Sequence, residues 1–275
     1  MLEELDNRDD LVEDFSLPKG ATADLLPWDT TDLVVNGLSY TPRPIPHSLN
    51  PYSATLLELN RAFFADPDRR PRFVIINRKM IDNRWPSVDL DGPALTEIAR
   101  HYRFHSRGSK GSLVLELSPH DGTEVERTIF KSTFDLSQGR STSRLIPLPE
   151  DIPPGSSISF QFKPTLLYKL SKVIYRPPFV ARVRVDFADG GFKFYRVIPG
   201  ASEQLPLAPI PADNDDLLTY VKTKQRPLEL DLTPESTPVA LKLQLRWKGG
   251  GGSPPLRRYF SEVSLSIQAP DWSTP

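Results

Sequence analysis

Ala181-Arg-Val-Arg-Val-Asp-Phe187-Ala-Asp189-Gly-Gly191-Phe-Lys-Phe-Tyr-Arg196-Val197 alternates apolar with polar residues, breaks at Asp-Gly-Gly, and resumes. Alternation with a period of two sends successive side chains to opposite faces of a strand, so Ala181, Val183, Val185 and Phe187 face a core while their neighbours face water. The glycine pair after Asp189 supplies the backbone freedom of a tight hairpin turn. The same period recurs in Leu113/Leu115/Leu117, Ile158/Phe160/Phe162, Leu241/Leu243/Leu245/Trp247 and Val263/Leu265/Ile267. Turn signals separate these runs, among them His120-Asp-Gly122 and Gly249-Gly-Gly-Gly-Ser253, the latter reading equally as a hairpin loop or as a linker-like insertion. Residues 108–275 are therefore expected to form an antiparallel β-sandwich or jelly roll.

Ahead of this half the period becomes mixed, and residues 28–107 read as a small α/β segment. Asp32-Leu-Val-Val-Asn-Gly37-Leu-Ser-Tyr40 reads as a short strand ending in a turn, and the prolines of Tyr40–Pro46 force an extended, exposed loop. Ser53 caps a helix to about Ala65 with Leu56, Leu59, Asn60, Phe63 and Phe64 on one side, and Asp66-Pro67 stops it. Phe73–Asn77 reads as a buried strand. A second helix starts at Asp91 as cap, with Pro93 in its first turn and Leu95, Ile98, Ala99 and Tyr102 at helical spacing. Residues 1–27 are acidic and aperiodic, which predicts a disordered or loosely attached lead-in. The fold class is thus mixed α/β, mainly β.

Composition removes whole classes of function. The 275 residues hold 34 Lys and Arg against 35 Asp and Glu, a formal net charge of −1, so no field of one sign directs the chain to nucleic acid. Cysteine is absent, which excludes disulfide frameworks, thiolate metal sites and Cys nucleophiles. The 29 prolines favour loops, strand edges and extended connectors over helix interiors. No apolar run exceeds four residues, far below the ~20 that span a bilayer. The first ten residues lack the basic start and apolar stretch of a secretory signal.

No nucleophile elbow, phosphate loop, dinucleotide fingerprint or zinc-protease motif is present, so the chain reads as non-catalytic, with no cofactor expected. His101 and His105 have the i, i+4 spacing of a helical metal pair, but the helix should fade near Tyr102 and no carboxylate lies between them; no metal site is expected. The densest polar constellation is Asp82-Asn-Arg-Trp-Pro-Ser-Val-Asp-Leu-Asp-Gly92, read as a loop after a buried strand, where α/β proteins place ligands. Asp89 and Asp91 have the spacing that holds a divalent cation with a nucleotide sugar, and Arg84 and Trp85 can take a carboxylate or a sugar face. The competing reading has Asp91 capping the helix, Asp82 holding a turn with Arg84, and Trp85 packing on the domain edge. A second candidate joins Arg43, Tyr52 and Asn60 as one rim of a cleft, or as rim packing. On the sandwich, Arg182, Arg184, Lys193 and Arg196 are expected to give one hairpin a basic face, suited to anionic polysaccharide or headgroups, or simply solvated.

Trp28-Asp, Val34-Val-Asn-Gly37-Leu-Ser-Tyr-Thr-Pro-Arg-Pro44-Ile-Pro-His-Ser48, Asn50-Pro-Tyr-Ser-Ala-Thr55, Leu59-Asn60 and Ile81-Asp-Asn-Arg84-Trp-Pro86 form one motif set. Leu167-Tyr-Lys-Leu-Ser-Lys-Val-Ile-Tyr-Arg176-Pro-Pro178, Asp189-Gly190, Phe194-Tyr-Arg196-Val-Ile-Pro-Gly200, Leu207-Ala-Pro-Ile210 and Asp215-Asp-Leu217 form another. Together, over residues 28–220, they resemble the extracytoplasmic region of uncharacterised polytopic bacterial envelope proteins. The chain departs from that pattern at Ala201-Ser-Glu-Gln-Leu-Pro206, where an apolar patch is usual. The resemblance implies a domain on the outer, periplasmic side of the bacterial cytoplasmic membrane, preceded in the full protein by a glycosyltransferase-like membrane region. It carries no catalytic residue. The expected function is recognition of a glycan or an envelope protein, with an accessory substrate-binding role beside a membrane glycosyltransferase and a purely structural assembly role as alternatives.

Overall fold

A computed structural model describes residues 14–27, 30–47, 53–77, 86–119, 126–136, 143–174, 179–199, 202–225, 237–247 and 254–271. Phe73-Val-Ile-Ile76 sets the first layer. β-Branched and aromatic residues without a polar partner make a strand buried on both faces. This strand, β3, lies in the middle of a five-stranded sheet ordered β2-β1-β3-β5-β4, formed by β1 (Thr22–Leu26), β2 (Ser39–Tyr40), β3 (Phe73–Ile76), β4 (Tyr102–Arg107) and β5 (Leu113–Leu117). β1 runs parallel to β2 and β3, while β5 runs antiparallel to β3 and β4. Two apolar clusters take the two faces: Leu26, Val74, Ile76, Leu113 and Leu115 on one side, and Ala23, Leu25, Phe73, Ile75 and Val114 on the other, the latter with Phe15, Leu33 and Leu38.

Three sequence expectations change here. First, part of the expected lead-in is structural: β1 lies between β2 and β3 with Ala23 to Leu26 buried. Second, Thr31–Val35 is a short helix, α1, where its valines suggest a strand. The reason is its end: Leu38 N–H donates to the Leu33 carbonyl at 2.9 Å and Gly37 N–H to the Val34 carbonyl at 3.0 Å, with Gly37 at φ +69°. That pair of bonds is a Schellman stop, so Asn36-Gly37 ends a helix and Leu38 folds back onto Leu33 in the core. Third, Leu113–Leu117 joins the α/β sheet and not the sandwich, so the expected boundary at residue 108 cuts through the β4–β5 pair. Its alternation misleads because Val114, between the leucines, faces the second core.

The first long helix, α2 (Ala54–Ala65), is capped by Ser53, whose Oγ accepts from Leu56 N–H at 3.3 Å. Leu57, Asn60, Phe63 and Phe64 are its buried stripe, while Leu59 is exposed. The second, α3 (Pro86–His101), is two helical stretches divided at Asp91, which has φ −145° and ψ 30°; the later stretch begins at Asp91 with Pro93 in its first turn, as expected, and a short helical stretch from Pro86 precedes it. Ala94, Leu95, Ile98 and Ala99 pack under the sheet.

The remaining chain gives β6 (Glu126–Asp135), β7 (Ser143–Pro147), β8 (Ser157–Pro164), α4 (Leu166–Ile174), β9 (Phe179–Phe187), β10 (Phe192–Val197), β11 (Ser202–Pro206), α5 (Asn214–Gln225), β12 (Pro238–Trp247) and β13 (Phe260–Pro270). The strands form two antiparallel four-stranded sheets, β11-β8-β13-β6 and β10-β9-β12-β7. Successive strands change sheet at every step except the β9–β10 hairpin, which is the connectivity of a jelly roll. Between the sheets lie Ile158, Phe160, Val183, Val185, Leu241, Leu243, Leu265 and Ile267, in one apolar cluster that continues through α3 into the α/β sheet. The halves are joined tightly: a Cβ on Gly92 of α3 would meet Leu205 Cδ2 at 2.6 Å, and the Asn214 amide donates to the Ile76 carbonyl at 3.2 Å.

Candidate functional site

Asp24 shares the strand parity of Leu26, so it faces the side of the sheet that α2 and α3 cover. The proline-rich segment after β2 runs over the same side. It carries Arg43 inward: one guanidinium nitrogen donates to Asp24 Oδ2 at 2.8 Å and to the Leu25 carbonyl at 3.1 Å, the other to the Pro27 carbonyl at 3.1 Å and to the Pro46 carbonyl. Asn60, from α2, accepts from Ile45 N–H at 2.9 Å and donates to the Ile45 carbonyl at 3.1 Å. Its amide also donates to Asp91 Oδ2 at 3.0 Å, and that oxygen lies 3.7 Å from Arg43 Nε. Arg43, Asn60 and Asp91 are thus one cluster, completed by Asp24.

All four side chains are fully buried. That corrects the expectation that Arg43 and Asn60 form an outward rim and that Asp91 belongs to an exposed loop. The kink of α3 turns Asp91 inward, and Asn60 and Arg43 engage its Oδ2, against the cation-site reading. Burial raises the Asp24 carboxyl above its ordinary value, although the charge and hydrogen bond of Arg43 pull the other way. The arrangement ties β1, the proline loop, α2 and α3 together, with all four side chains held away from solvent. Asp89 lies on the helical part of α3 and not on a loop. Tyr52, Asp82, Arg84 and Trp85 fall outside the described residues, as does the Gly249–Ser253 run. The sequence signal for the missed member, Asp24, is a lone carboxylate inside Ala23-Asp-Leu-Leu26.

The histidines separate. His101 ends α3 with Nε2 3.1 Å from an Arg70 guanidinium nitrogen and 3.5 Å from Glu97, whereas His105 lies on β4 beside Glu116 at 3.4 Å. Among the described residues no group of three or more His, Cys, Asp and Glu is placed to hold a metal ion. Glu97 is the centre of a second charged cluster. Burial pushes its carboxyl up, but the hydrogen bond from His101 and the charges of Arg100 and Arg61 prevail and hold it at about 2.

The exposed chemistry lies on the outer face of the β10-β9-β12-β7 sheet. Strand register lines up Phe194, Arg184, Lys242 and Leu145 in one row, and Arg196, Arg182, Gln244 and Ser143 in the next. Phe192 and Phe194 are 51% and 43% exposed, and the Arg184 guanidinium lies 4.1 Å from the Phe192 ring centroid. Arg184 Nε also donates to Asp186 at 2.5 Å. Lys193 does not share this face, contrary to expectation: its ammonium donates to the Ile210 carbonyl at 3.2 Å. The even–odd alternation of β10 sends it to the side opposite Phe192 and Phe194. Against protein-family models, curated proteins and solved structures, the chain has no match.

Proposed function

We propose that this chain is a non-catalytic recognition module of the bacterial cell envelope that binds an acidic carbohydrate on the outer face of its β10-β9-β12-β7 sheet. The observation that carries the reading is the pair of exposed phenylalanines, Phe192 and Phe194, with Phe194 in register with Arg184 and Lys242, the Arg184 guanidinium over the Phe192 ring, and Arg182 and Arg196 in the next row. Apolar ring faces accept the C–H side of a sugar, and guanidinium forks take carboxylate or phosphate in two parallel hydrogen bonds. Jelly rolls carry lectin sites among many other functions, so the fold admits this reading without assigning it. The resemblance of residues 28–220 to envelope proteins supports the location, periplasmic and beside the membrane, as part of a larger membrane protein. Among the described residues no helix is long and apolar enough to cross a bilayer.

A glycan array carrying neutral and uronic-acid-containing bacterial polysaccharides tests the reading. The expected result is binding to the acidic set alone, lost in a Phe192→Ser/Phe194→Ser variant. Equal signals from variant and parent would move recognition elsewhere. An assembly role is the second reading, favoured by the burial of the Arg43 cluster and its inward hydrogen bonds; it predicts no glycan bound at all.

A further inference from the structure

We propose that α4 is an interfacial anchor that seats its leucines in the surface of an anionic lipid bilayer. At 3.6 residues per turn, Leu166, Leu167 and Leu170 fall within an arc of about 100°. They are 71%, 46% and 49% exposed. Tyr168 occupies the opposite side and is buried against Phe260, with ring centroids 4.9 Å apart. A surface helix ordinarily lays its apolar stripe on its own protein. Among the described side chains of this helix Tyr168 is the buried one and the leucines turn outward, an apolar patch of the kind that marks a surface for a partner or a membrane.

Charge identifies the cover. From Ile152 to Val180, the stretch that contains α4, the sequence has four Lys or Arg and no Asp or Glu. Beside the start of α4 lies a cavity of about 420 Å³ lined by Thr165, Pro255, Arg257, Arg258 and Ser261. Thr165, immediately before Leu166, ties the two features together, its hydroxyl donating to the Arg258 carbonyl at 2.9 Å. A leucine arc with a cationic rim is the composition that lies in the plane of an anionic membrane, apolar side among the acyl chains and cations on the phosphates. A second copy of this chain fits poorly, because a two-fold contact would set Lys169, Arg257 and Arg258 against the same cations. At nine residues the helix is too short to span, so it lies on the surface. This contact is independent of glycan binding.

Vesicle co-sedimentation of the whole chain tests it, with vesicles of phosphatidylcholine alone and of equal parts phosphatidylcholine and phosphatidylglycerol. Binding is expected on the second kind only, weakening as salt rises. Leu166→Ser/Leu167→Ser/Leu170→Ser, and separately Arg257→Glu/Arg258→Glu, should each lower it by about ten-fold or more with the near-ultraviolet circular dichroism unchanged. Phe192→Ser/Phe194→Ser should bind vesicles like the parent, which separates this contact from the glycan face. The proposal is overturned if the parent ignores anionic vesicles, or if the leucine variant binds them equally well. A dimer in sedimentation velocity that the leucine variant abolishes, with no vesicle binding, would make the cover a second copy.

Discussion

The Arg43 cluster and the outer surface of the jelly roll invert the usual distribution of polarity in opposite senses. One places a guanidinium and two carboxylates where apolar side chains would fit; the other leaves two phenylalanines, and on α4 three leucines, in water. The buried charges are fixed by partners: Arg43 makes four donations at its two terminal nitrogens, and Asn60 pairs with both polar groups of Ile45. Among the described residues, the exposed rings lie against one another and Arg184, with Asp186 in register with Phe192. Polar residues with every bond directed inward report on the fold. Apolar residues without cover report on what the protein meets. Arg43, Asn60 and Asp91 thus act as ties within the fold.

Removing the cation from the buried cluster should have the largest effect. Arg43→Met keeps much of the volume but leaves Asp24 and Asp91 buried together with no positive partner, and breaking a buried pair in this way costs about 3–5 kcal/mol. Urea denaturation at neutral pH should read a loss of that size. The deficit should shrink on acidification, because the Asp24 carboxyl already titrates above its ordinary value and protonation removes the charge that Arg43 balances. A loss under about 1 kcal/mol would mean that water reaches the cluster, and would restore Arg43 as a ligand candidate.

Glu97 tests whether paired charge in the α2–α3 layer stabilises as well as shapes. Its folded carboxyl, at about 2, lies below its unfolded value near 4.5. The unfolded chain therefore binds the proton more readily: the stabilisation is complete above the unfolded value and is lost as pH falls from there towards the folded one. At about 1.4 kcal/mol per pH unit the contribution is ~3 kcal/mol. Glu97→Gln should lower stability at neutral pH by an amount of that order and flatten the acid side of the stability profile. A variant whose acid slope matches the parent would place the acid-labile charge elsewhere.

How much of this was legible without coordinates follows from what a pattern encodes. The sandwich strands were readable because each has water on one side, so Val183 and Val185 alternate with Arg182 and Arg184. β5 carries the alternation of the sandwich strands yet lies in the α/β sheet, because alternation states which residues share a face and not which core that face meets. β1 was hidden: five residues after an acidic stretch, interrupted by Asp24, offer no period. Arg43 and Asn60 are recognisable as one polar group and Asp91 as part of another, and Asp91-Gly92-Pro93 signals a break in α3, but that the two groups meet, and face inward, depends on Asp24 on a separate strand. For α4, helical spacing groups the leucines on one arc yet says nothing about whether that arc meets the protein; only Tyr168 against Phe260 fixes the side.

The smallest expected effect is on the outer sheet face, and it sharpens the contrast because it should be close to zero. Phe192 and Phe194 already spend about half of their surface in water, so a change to Ser gives up little buried area. The contact with Arg184 is exposed, where a cation over a ring contributes roughly 0.5–1 kcal/mol, and Arg184 keeps its bond to Asp186. The double variant Phe192→Ser/Phe194→Ser should therefore unfold within about 1 kcal/mol of the parent. Phe260, buried between Phe162 and Tyr168, is the internal control: truncation to Ala there removes a ring from a packed core and should cost ~3–5 kcal/mol. Both changes remove phenyl rings from the same sandwich, so a difference of several-fold isolates burial as the cause. Should the exposed pair prove as costly as Phe260, the rings would be holding the β9–β10 hairpin in place, and the glycan face would lose its two anchors to structure.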